Sequence, residues 1–223
     1  MISAKRAARL NQNKHREAEG LFLAEGAAFL EESPEPPTAL FETPEEVRKI
    51  STFTTPTGPV GVFPFLDVDR DLLLQRSDVV ILLHGVQDPG NVGTIIRAAH
   101  AFGAGVALST GCADLYNPKT VRATMGSIFH APVARHLDSL ELLAAAHDAG
   151  FVRVAAVAGS GETAIELPAS KLLIAVGAEG SGLPEDVVSA CDTGVTIPSR
   201  AASLNAAMAA SILLYEAYRR VLP

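Results

Sequence analysis

The feature that most restricts the fold of this chain is the alternation of short apolar segments with helix-like segments from Asp78 onward. Val79–Leu83 is apolar throughout, as in a strand that helices cover on both faces. Asn91–Phe102 instead has its apolar residues at helical spacing. Further strands are predicted at 106–108, 152–157, 172–176 and 195–197, and further helices at 139–149, 185–190 and 203–221. This alternation predicts an α/β fold with a parallel sheet.

The first 75 residues lack this regular alternation and are predicted to form a small α/β unit. The sequence favours strands at 21–24 and 60–65, and helices at 27–30 and 45–50. Charged residues in the segment 67–77 separate this part from the alternating part, so a boundary is expected there. The two domains predicted are residues 1–75 and residues 78–223.

Charge is distributed unevenly along the chain, whose net charge is −7. The first 16 residues contain five cations and no acid, namely Lys5, Arg6, Arg9, Lys14 and Arg16. Residues 17–46 contain nine glutamates and no Lys or Arg. A basic arm on an acidic body can bind phosphates locally, although a solvated terminus explains the same charges equally well.

Composition narrows the class of protein. No apolar run reaches the roughly 18–20 residues that span a bilayer, and no apolar stretch follows the basic N-terminus. A cytoplasmic protein is therefore expected. Cys112 and Cys191 match no zinc or redox spacing, so two reduced thiols are favoured over a lone disulfide. The six histidines show no ligand spacing, and no metal is expected.

Three loops that follow buried strands are the candidate site, because ligands of such folds bind at the carboxyl ends of strands. They are residues 84–97, 177–183 and 197–205. Each has a simpler explanation, since glycines suit turns and Asn91 or Ser203 can cap a helix. The dinucleotide, phosphate-loop and hydrolase-elbow motifs are absent. Arg97 in an apolar helix lies either on the solvent face or against an acid, and a contact with Glu179, which stands among small residues, would satisfy both.

Taken in order, these loops resemble the SpoU branch of the SPOUT RNA methyltransferases over residues 79–220. The matching positions are Asn91, Gly93, Arg97 and Phe102-Gly103 in the first loop, Gly177, Glu179 and Gly182-Leu183 in the second, and Ile197-Pro198 with Ser203-Leu204-Asn205 in the third. The segment 117–129 resembles the family's Lys-x-x-Arg-Ala-Ser-x-Gly stretch. Phe22–Gly26 resembles the signature of an L30e-like domain, shortened here.

The resemblance implies an α/β fold with a parallel sheet and a C-terminal trefoil knot, preceded by a small L30e-like domain. It also implies a homodimer that transfers a methyl group from S-adenosylmethionine to a ribose 2′-hydroxyl of ribosomal or transfer RNA. Arg97 would orient the hydroxyl and stabilise the alkoxide, since a guanidinium is a poor general base. The expected supporting residues are Asn91, Glu179, Ser203 and Asn205. The cofactor is expected against Gly177, Ile197 and Leu204.

The resemblance and the charges together predict RNA contacts at eight cations: Lys5, Arg6, Arg9, Lys14, Arg16, Lys119, Arg122 and Arg200. The third loop is about two residues shorter than in many relatives and lacks their glycine, so Arg200 is expected to face the RNA. Three alternatives stay open: a non-catalytic RNA-binding relative, a methyltransferase that acts on a base, and an unrelated α/β protein that binds another nucleotide.

Overall fold

The computed structural model describes residues 2–159, 162–163, 171–201 and 203–221. Its main sheet contains seven strands, all paired in parallel. In spatial order they are β6 (Val133–Leu137), β5 (Gly105–Ser109), β4 (Val79–His84), β9 (Leu172–Gly177), β7 (Val152–Ala156), β10 (Thr193–Thr196) and β8 (Glu162–Thr163). The predicted parallel sheet is confirmed.

Helices cover both faces of this sheet, which explains why its central strands are apolar throughout. The helices are α5 (Arg70–Arg76), α6 (Pro89–Ala101), α7 (Pro118–Thr124), α8 (Ser139–Asp148), α9 (Glu185–Ser189) and α10 (Ala206–Val221). Ile81 and Leu83 belong to the core that includes α6 and α10. Val80 and Leu82 belong to the opposite core, beneath α5 and α8. The alternation of side chains along a strand divides them in this way.

The N-terminal part forms its own antiparallel sheet, with strand order β1 (Leu21–Glu25), β3 (Val60–Pro64) and β2 (Ala39–Phe41). Its helices are α1 (Ala4–Arg9), α2 (Asn13–Glu19), α3 (Ala27–Glu32) and α4 (Pro44–Ile50). The predicted strands at 21–24 and 60–65 and helices at 27–30 and 45–50 are confirmed. The sequence prediction missed α1, α2 and β2, α5 in the predicted boundary segment, and α7, β6 and β8 in the main domain.

The prediction of a basic N-terminal arm is corrected by the structure. Residues 4–19 form two helices, and Ala7 and Leu10 are fully buried against the three-stranded sheet and α4. These apolar side chains anchor α1 to the N-terminal core, so the cations of residues 4–19 belong to folded helices and not to a flexible arm. Arg16 is only 2% exposed and is part of the fold's interior.

A shared aromatic core joins the two sheets. The ring centroids of Phe22 and Tyr116 are 4.8 Å apart, and Phe63 contacts Phe129 edge-on at 4.9 Å. The Tyr116 hydroxyl accepts hydrogen bonds from the backbone N–H groups of Leu66 and Asp67 at 2.6 and 2.8 Å, and it donates to the Asp67 carboxylate at 2.7 Å. Burial and this carboxylate raise the pKa of Tyr116 well above its usual range.

Ion pairs reinforce the same junction. Arg16 donates to the Asp114 carboxylate and, at 2.8 Å, to the Leu10 carbonyl. Arg135 lies over the Phe65 ring at 4.6 Å and donates to Glu17 at 2.5 Å. The segment 67–77, which the sequence predicts as a boundary, contains α5. In the described part of the chain, no helix is long and apolar enough to cross a membrane.

Replacing Asp114 with Asn should lower the free energy of unfolding by about 3–5 kcal/mol, because the buried guanidinium of Arg16 would lose its counter-charge. Urea titration at pH 7 measures this. Burial opposes ionisation of Asp114, but hydrogen bonds from Arg16 and Asn13 lower its pKa overall. The stabilisation is therefore present above the ordinary carboxyl pKa and is lost as the pH falls. The gap between wild type and variant should narrow in acid.

The matched control is Asp148→Asn, which removes an exposed carboxylate at the end of α8. It should change the free energy of unfolding by less than about 0.5 kcal/mol. An equal effect of the two substitutions would contradict the assigned role of Asp114.

Candidate functional site

Two of the three candidate loops leave neighbouring strands at the same edge of the sheet. β4 pairs with β9 in register from Val79 opposite Leu172 to His84 opposite Gly177. The first loop follows His84 and the second follows Gly177, so both begin at the same height on adjacent strands. β10, which precedes the third loop, lies beyond β7.

The side chain of Asn91 in the first loop contacts the second loop. Asp88 caps α6, because its carboxylate accepts a hydrogen bond from the backbone N–H of Asn91 at 2.8 Å. The interpretation of Asn91 as a simple helix cap is therefore wrong. Its side-chain amide donates instead to the Glu179 carboxylate of the second loop.

Asn205 connects the third loop to the other two. Its side-chain oxygen accepts from the backbone N–H groups of Ala207 and Met208 at 2.9 and 3.2 Å, which caps α10. Its amide nitrogen donates to Asn91 at 3.1 Å and to Glu179 at 3.3 Å. The side chains of all three loops thus meet in one hydrogen-bonded cluster, which we call the Asn–Glu–Asn cluster (Asn91, Glu179 and Asn205).

Ser203 lies outside this cluster. It is exposed, and α10 begins only at Ala206, so Ser203 does not cap that helix. Ile197 packs against the main core, and Leu204, next to Asn205 in the chain, is half-buried. Ala202, part of the same predicted loop, lies outside the described residues.

Of the two positions that the sequence leaves open for Arg97, the structure shows the solvent-exposed one, and Arg97 does not contact Glu179. Six residues along a helix turn the side chain about 240° and advance it about 9 Å, so Arg97 and Asn91 face different directions. Glu179 is satisfied by two amides instead. Arg97 is exposed and, among the described residues, forms no ion pair and no side-chain hydrogen bond. Its five donors are therefore available to a ligand.

The second loop folds back on itself so tightly that only glycine fits where it starts. The backbone N–H of Gly182 donates to the Ala178 carbonyl at 2.9 Å. A Cβ at Gly177 would lie 2.1 Å from the carbonyl carbon of Gly182. Gly180 and Gly182 have φ of +91° and +67°, where side chains are disfavoured. The loop therefore exposes backbone, with small side chains around it.

The cations that the sequence predicts to bind RNA differ in their solvent exposure and in their partners within the protein. Lys5, Lys14, Lys119, Arg122 and Arg200 are exposed. Arg6 pairs with Glu19 at 2.8 Å, and Arg9 contacts the His15 ring at 3.2 Å. The guanidinium of Arg16 is buried and paired, so it is not offered to a ligand in this structure.

Sequence reasoning missed Phe53, whose ring lies under the Arg122 guanidinium at 4.2 Å. A single aromatic residue in the polar stretch between α4 and β3 was the available signal. Within the described residues, no cluster of His, Cys, Asp or Glu is arranged to hold a metal ion. Both cysteines are free, and burial raises the pKa of Cys191 to about 11.

The sequence of this chain is similar to those of RNA methyltransferases. The model of the SpoU rRNA Methylase family matches residues 78–215. The 23S rRNA (guanosine(2553)-2′-O)-methyltransferase RlmP of Bacillus subtilis is 39% identical over 152 residues, which are 64% of this chain and 58% of that protein. The chain thus spans less than two thirds of that relative.

Solved structures match over nearly the whole chain. The S-adenosylmethionine-bound rRNA methyltransferase of Sinorhizobium meliloti superposes with a TM-score of 0.89 and 29% identity, covering 99% of this chain and 95% of that one. The SpoU methyltransferase AviRb of Streptomyces viridochromogenes, in complex with the same cofactor, superposes with a TM-score of 0.83 and 28% identity, covering 97% and 96%. The similarity therefore includes the N-terminal unit.

Replacing Asn205 with Asp tests the Asn–Glu–Asn cluster. The helix cap is kept, but a carboxylate would replace the amide that lies 3.3 Å from Glu179. Two adjacent carboxylates raise the pKa of one member of the pair, so stability is retained below the ordinary carboxyl pKa and lost as the pH rises. Urea titrations should show a variant that is about 0.5–1 kcal/mol less stable at pH 8 than at pH 5, relative to wild type.

Asn117→Asp is the control for this substitution. Asn117 caps α7 by accepting from the backbone N–H of Lys119 at 2.9 Å, and it faces no carboxylate among its hydrogen-bond partners. Its replacement should show no such loss of stability at pH 8. The same pH dependence in both variants would exclude Glu179 as the cause.

Proposed function

The chain belongs to the SpoU rRNA Methylase family, and from this membership we propose that it transfers a methyl group from S-adenosylmethionine to a ribose 2′-hydroxyl of RNA. The observation that carries the proposal is the Asn–Glu–Asn cluster, in which the three loops meet at the carboxyl edge of the sheet. The rRNA methyltransferase names of the similar proteins support ribosomal RNA as the substrate, with transfer RNA as the other candidate.

The loops fit a cofactor of this kind. The backbone of the second loop is exposed beside Gly177, and Ile197 and Leu204 supply apolar surface from the third loop. We assign these three residues to cofactor binding. When bound, S-adenosylmethionine supplies an electrophilic methyl group.

The chain's own contribution is positioning and charge. Arg97 has an exposed guanidinium with no protein partner among the described residues, which suits it to hold the 2′-hydroxyl or a neighbouring phosphate. Its positive charge would stabilise the alkoxide that develops as the proton leaves. Asn91, Glu179 and Asn205 act as positioning residues for the loops. Exposed Ser203 lies close enough in sequence to Asn205 to contact the same nucleotide.

The N-terminal unit is assigned to RNA binding. We propose that residues 1–75 form a shortened L30e-like domain and that residues 78–223 form the catalytic domain, with a C-terminal trefoil knot as in the family. Exposed Lys5 and Lys14 support this assignment, with Arg6 and Arg9 as secondary contacts, and exposed Lys119, Arg122 and Arg200 add RNA contacts from the catalytic domain. A cytoplasmic location is part of the same proposal, because ribosomal and transfer RNA are present there.

A homodimer is proposed from one face of α10. Met208, Ile212 and Tyr215 lie at helical spacing on that face and are 57%, 37% and 48% exposed. Phe102 packs beside Tyr215, with 5.8 Å between ring centroids, and extends the apolar surface. Exposed apolar patches of this kind are typical of interfaces.

Binding of S-adenosylmethionine, measured by titration calorimetry, tests the cofactor assignment. Wild type should bind, and Gly177→Ala should weaken binding about tenfold or more, because the added Cβ would collide with backbone 2.1 Å away. Gly90→Ala in the first loop is the control, since its Cβ would meet only the Asp88 side chain at 3.0 Å. No binding by wild type would leave a non-catalytic RNA-binding relative as the better account.

Replacing Arg97 with Gln tests the catalytic assignment. Transfer of labelled methyl groups to unmodified ribosomal RNA and transfer RNA should fall about 100- to 1,000-fold, while cofactor affinity and thermal stability stay near wild type. The reason is that Arg97 has no partner within the described chain to lose. Arg76→Gln, an exposed arginine at the end of α5, should keep full activity. Equal activity of the two variants would remove Arg97 from the mechanism.

A further inference from the structure

Arg122 is presented in an unusual way for a surface arginine. Its guanidinium carbon lies 4.2 Å from the centroid of the Phe53 ring, yet the side chain is exposed. Within the described part of the chain, its guanidinium forms no hydrogen bond and no ion pair with a carboxylate. In a chain with seven more acids than cations, an arginine that keeps all its donors free while one face is supported by a ring is arranged for an external ligand.

The ligand must approach from the solvent side of Arg122. Phe53 covers one face of the guanidinium, and both residues line a crevice between the N-terminal unit and α7. Two polar side chains that line this crevice are already paired: Asn11 donates to the Ile50 carbonyl at 2.7 Å, and Glu25 accepts from the backbone N–H of Thr57 at 2.9 Å. The outer face and the edges of the guanidinium are what remains to be bound.

The position of Arg122 connects it to the candidate active site. α7 packs closely on α6, where a Cβ at Gly93 would lie 2.5 Å from the Cβ of Ala123. α6 also carries Arg97, one turn after Gly93. Lys119, exposed one turn before Arg122, adds a second cation to the same helix. Two packed helices therefore carry the exposed cations Arg97, Lys119 and Arg122, and the last of these reaches Phe53 of the N-terminal unit.

We propose that Arg122, supported by Phe53, is a second RNA-binding site that holds an unpaired nucleotide away from the methylated one. The base stacks on the outer face of the guanidinium, as bases do on arginine and aromatic planes. The edge of the guanidinium donates to the phosphate, and Lys119 binds the adjacent phosphate. Phe53 is a positioning residue that keeps the guanidinium flat. The inference rests on the proposed action on RNA.

The variants separate charge from stacking. Arg122→Gln removes both, Arg122→Lys keeps the charge but loses the plane, Phe53→Leu removes the ring, and Phe53→Tyr keeps it. The matched control is Lys171→Gln, because Lys171 is an exposed cation that lies over the Phe151 ring at 5.3 Å, at the opposite edge of the sheet from the catalytic loops. Melting temperatures of all variants report whether each remains folded.

The experiment uses the full chain and total bacterial RNA labelled with 4-thiouridine. Filter binding should show affinity reduced about tenfold by Arg122→Gln and about threefold by Arg122→Lys and Phe53→Leu. Phe53→Tyr and Lys171→Gln should stay within twofold of wild type. The salt dependence of binding should weaken by about one ion for Arg122→Gln and not for Arg122→Lys. Photocross-linked peptides should include residues 51–53 or 119–122.

Two results would overturn the inference in distinguishable ways. Cross-links confined to the three loops, with unchanged affinity in the Arg122 and Phe53 variants, would remove this second site and leave the proposed methyl transfer intact. Failure of wild type to bind RNA at all, with cofactor binding retained, would overturn both. If Arg122→Gln does not fold, the comparison of Arg122→Lys with Phe53→Tyr decides the question.

Discussion

The register of β4 against β9 is the constraint on which the candidate site depends. Because His84 lies opposite Gly177, two loops separated by more than 80 residues start side by side. That proximity lets Asn91 reach Glu179, and the cap of α10 then brings Asn205 to both. A shift of one residue in this pairing would turn the strand side chains to the opposite faces and disrupt both cores.

The second constraint is the joint core of the two sheets. Phe22 of β1 packs on Tyr116, and the Tyr116 hydroxyl binds the backbone that links the two units. In this junction the guanidinium of Arg16 forms an ion pair with Asp114. A basic residue near the N-terminus thus stabilises the fold, whereas cations on α7 remain exposed. Packing therefore determines which cations an acidic ligand can reach, and the number of cations in the sequence does not show this.

Several elements could be predicted because local physics decides them. The apolar run at 79–83 has to be a covered strand, and the spacing of apolar residues at 91–102 has to give a helix. Short elements with weak patterns were missed, among them α1, α2 and α7, since their stability comes from neighbours such as α4 and α6. Local pattern left open whether Arg97 meets Glu179 or faces solvent, and it faces solvent because helical rotation turns it away from Asn91.

The sequence by itself determined the parallel α/β sheet, the three loops that follow its strands and, through their order, the family. These follow from the periodicity of side chains and from residue types in short segments, which do not depend on distant contacts. Only the tertiary structure decided which polar groups meet, which cations are buried and which stay free. Asn205 as a link between loops, Arg16 as an interior ion pair and Phe53 as a support for Arg122 all depend on pairs far apart in the chain, whose separation no local pattern encodes.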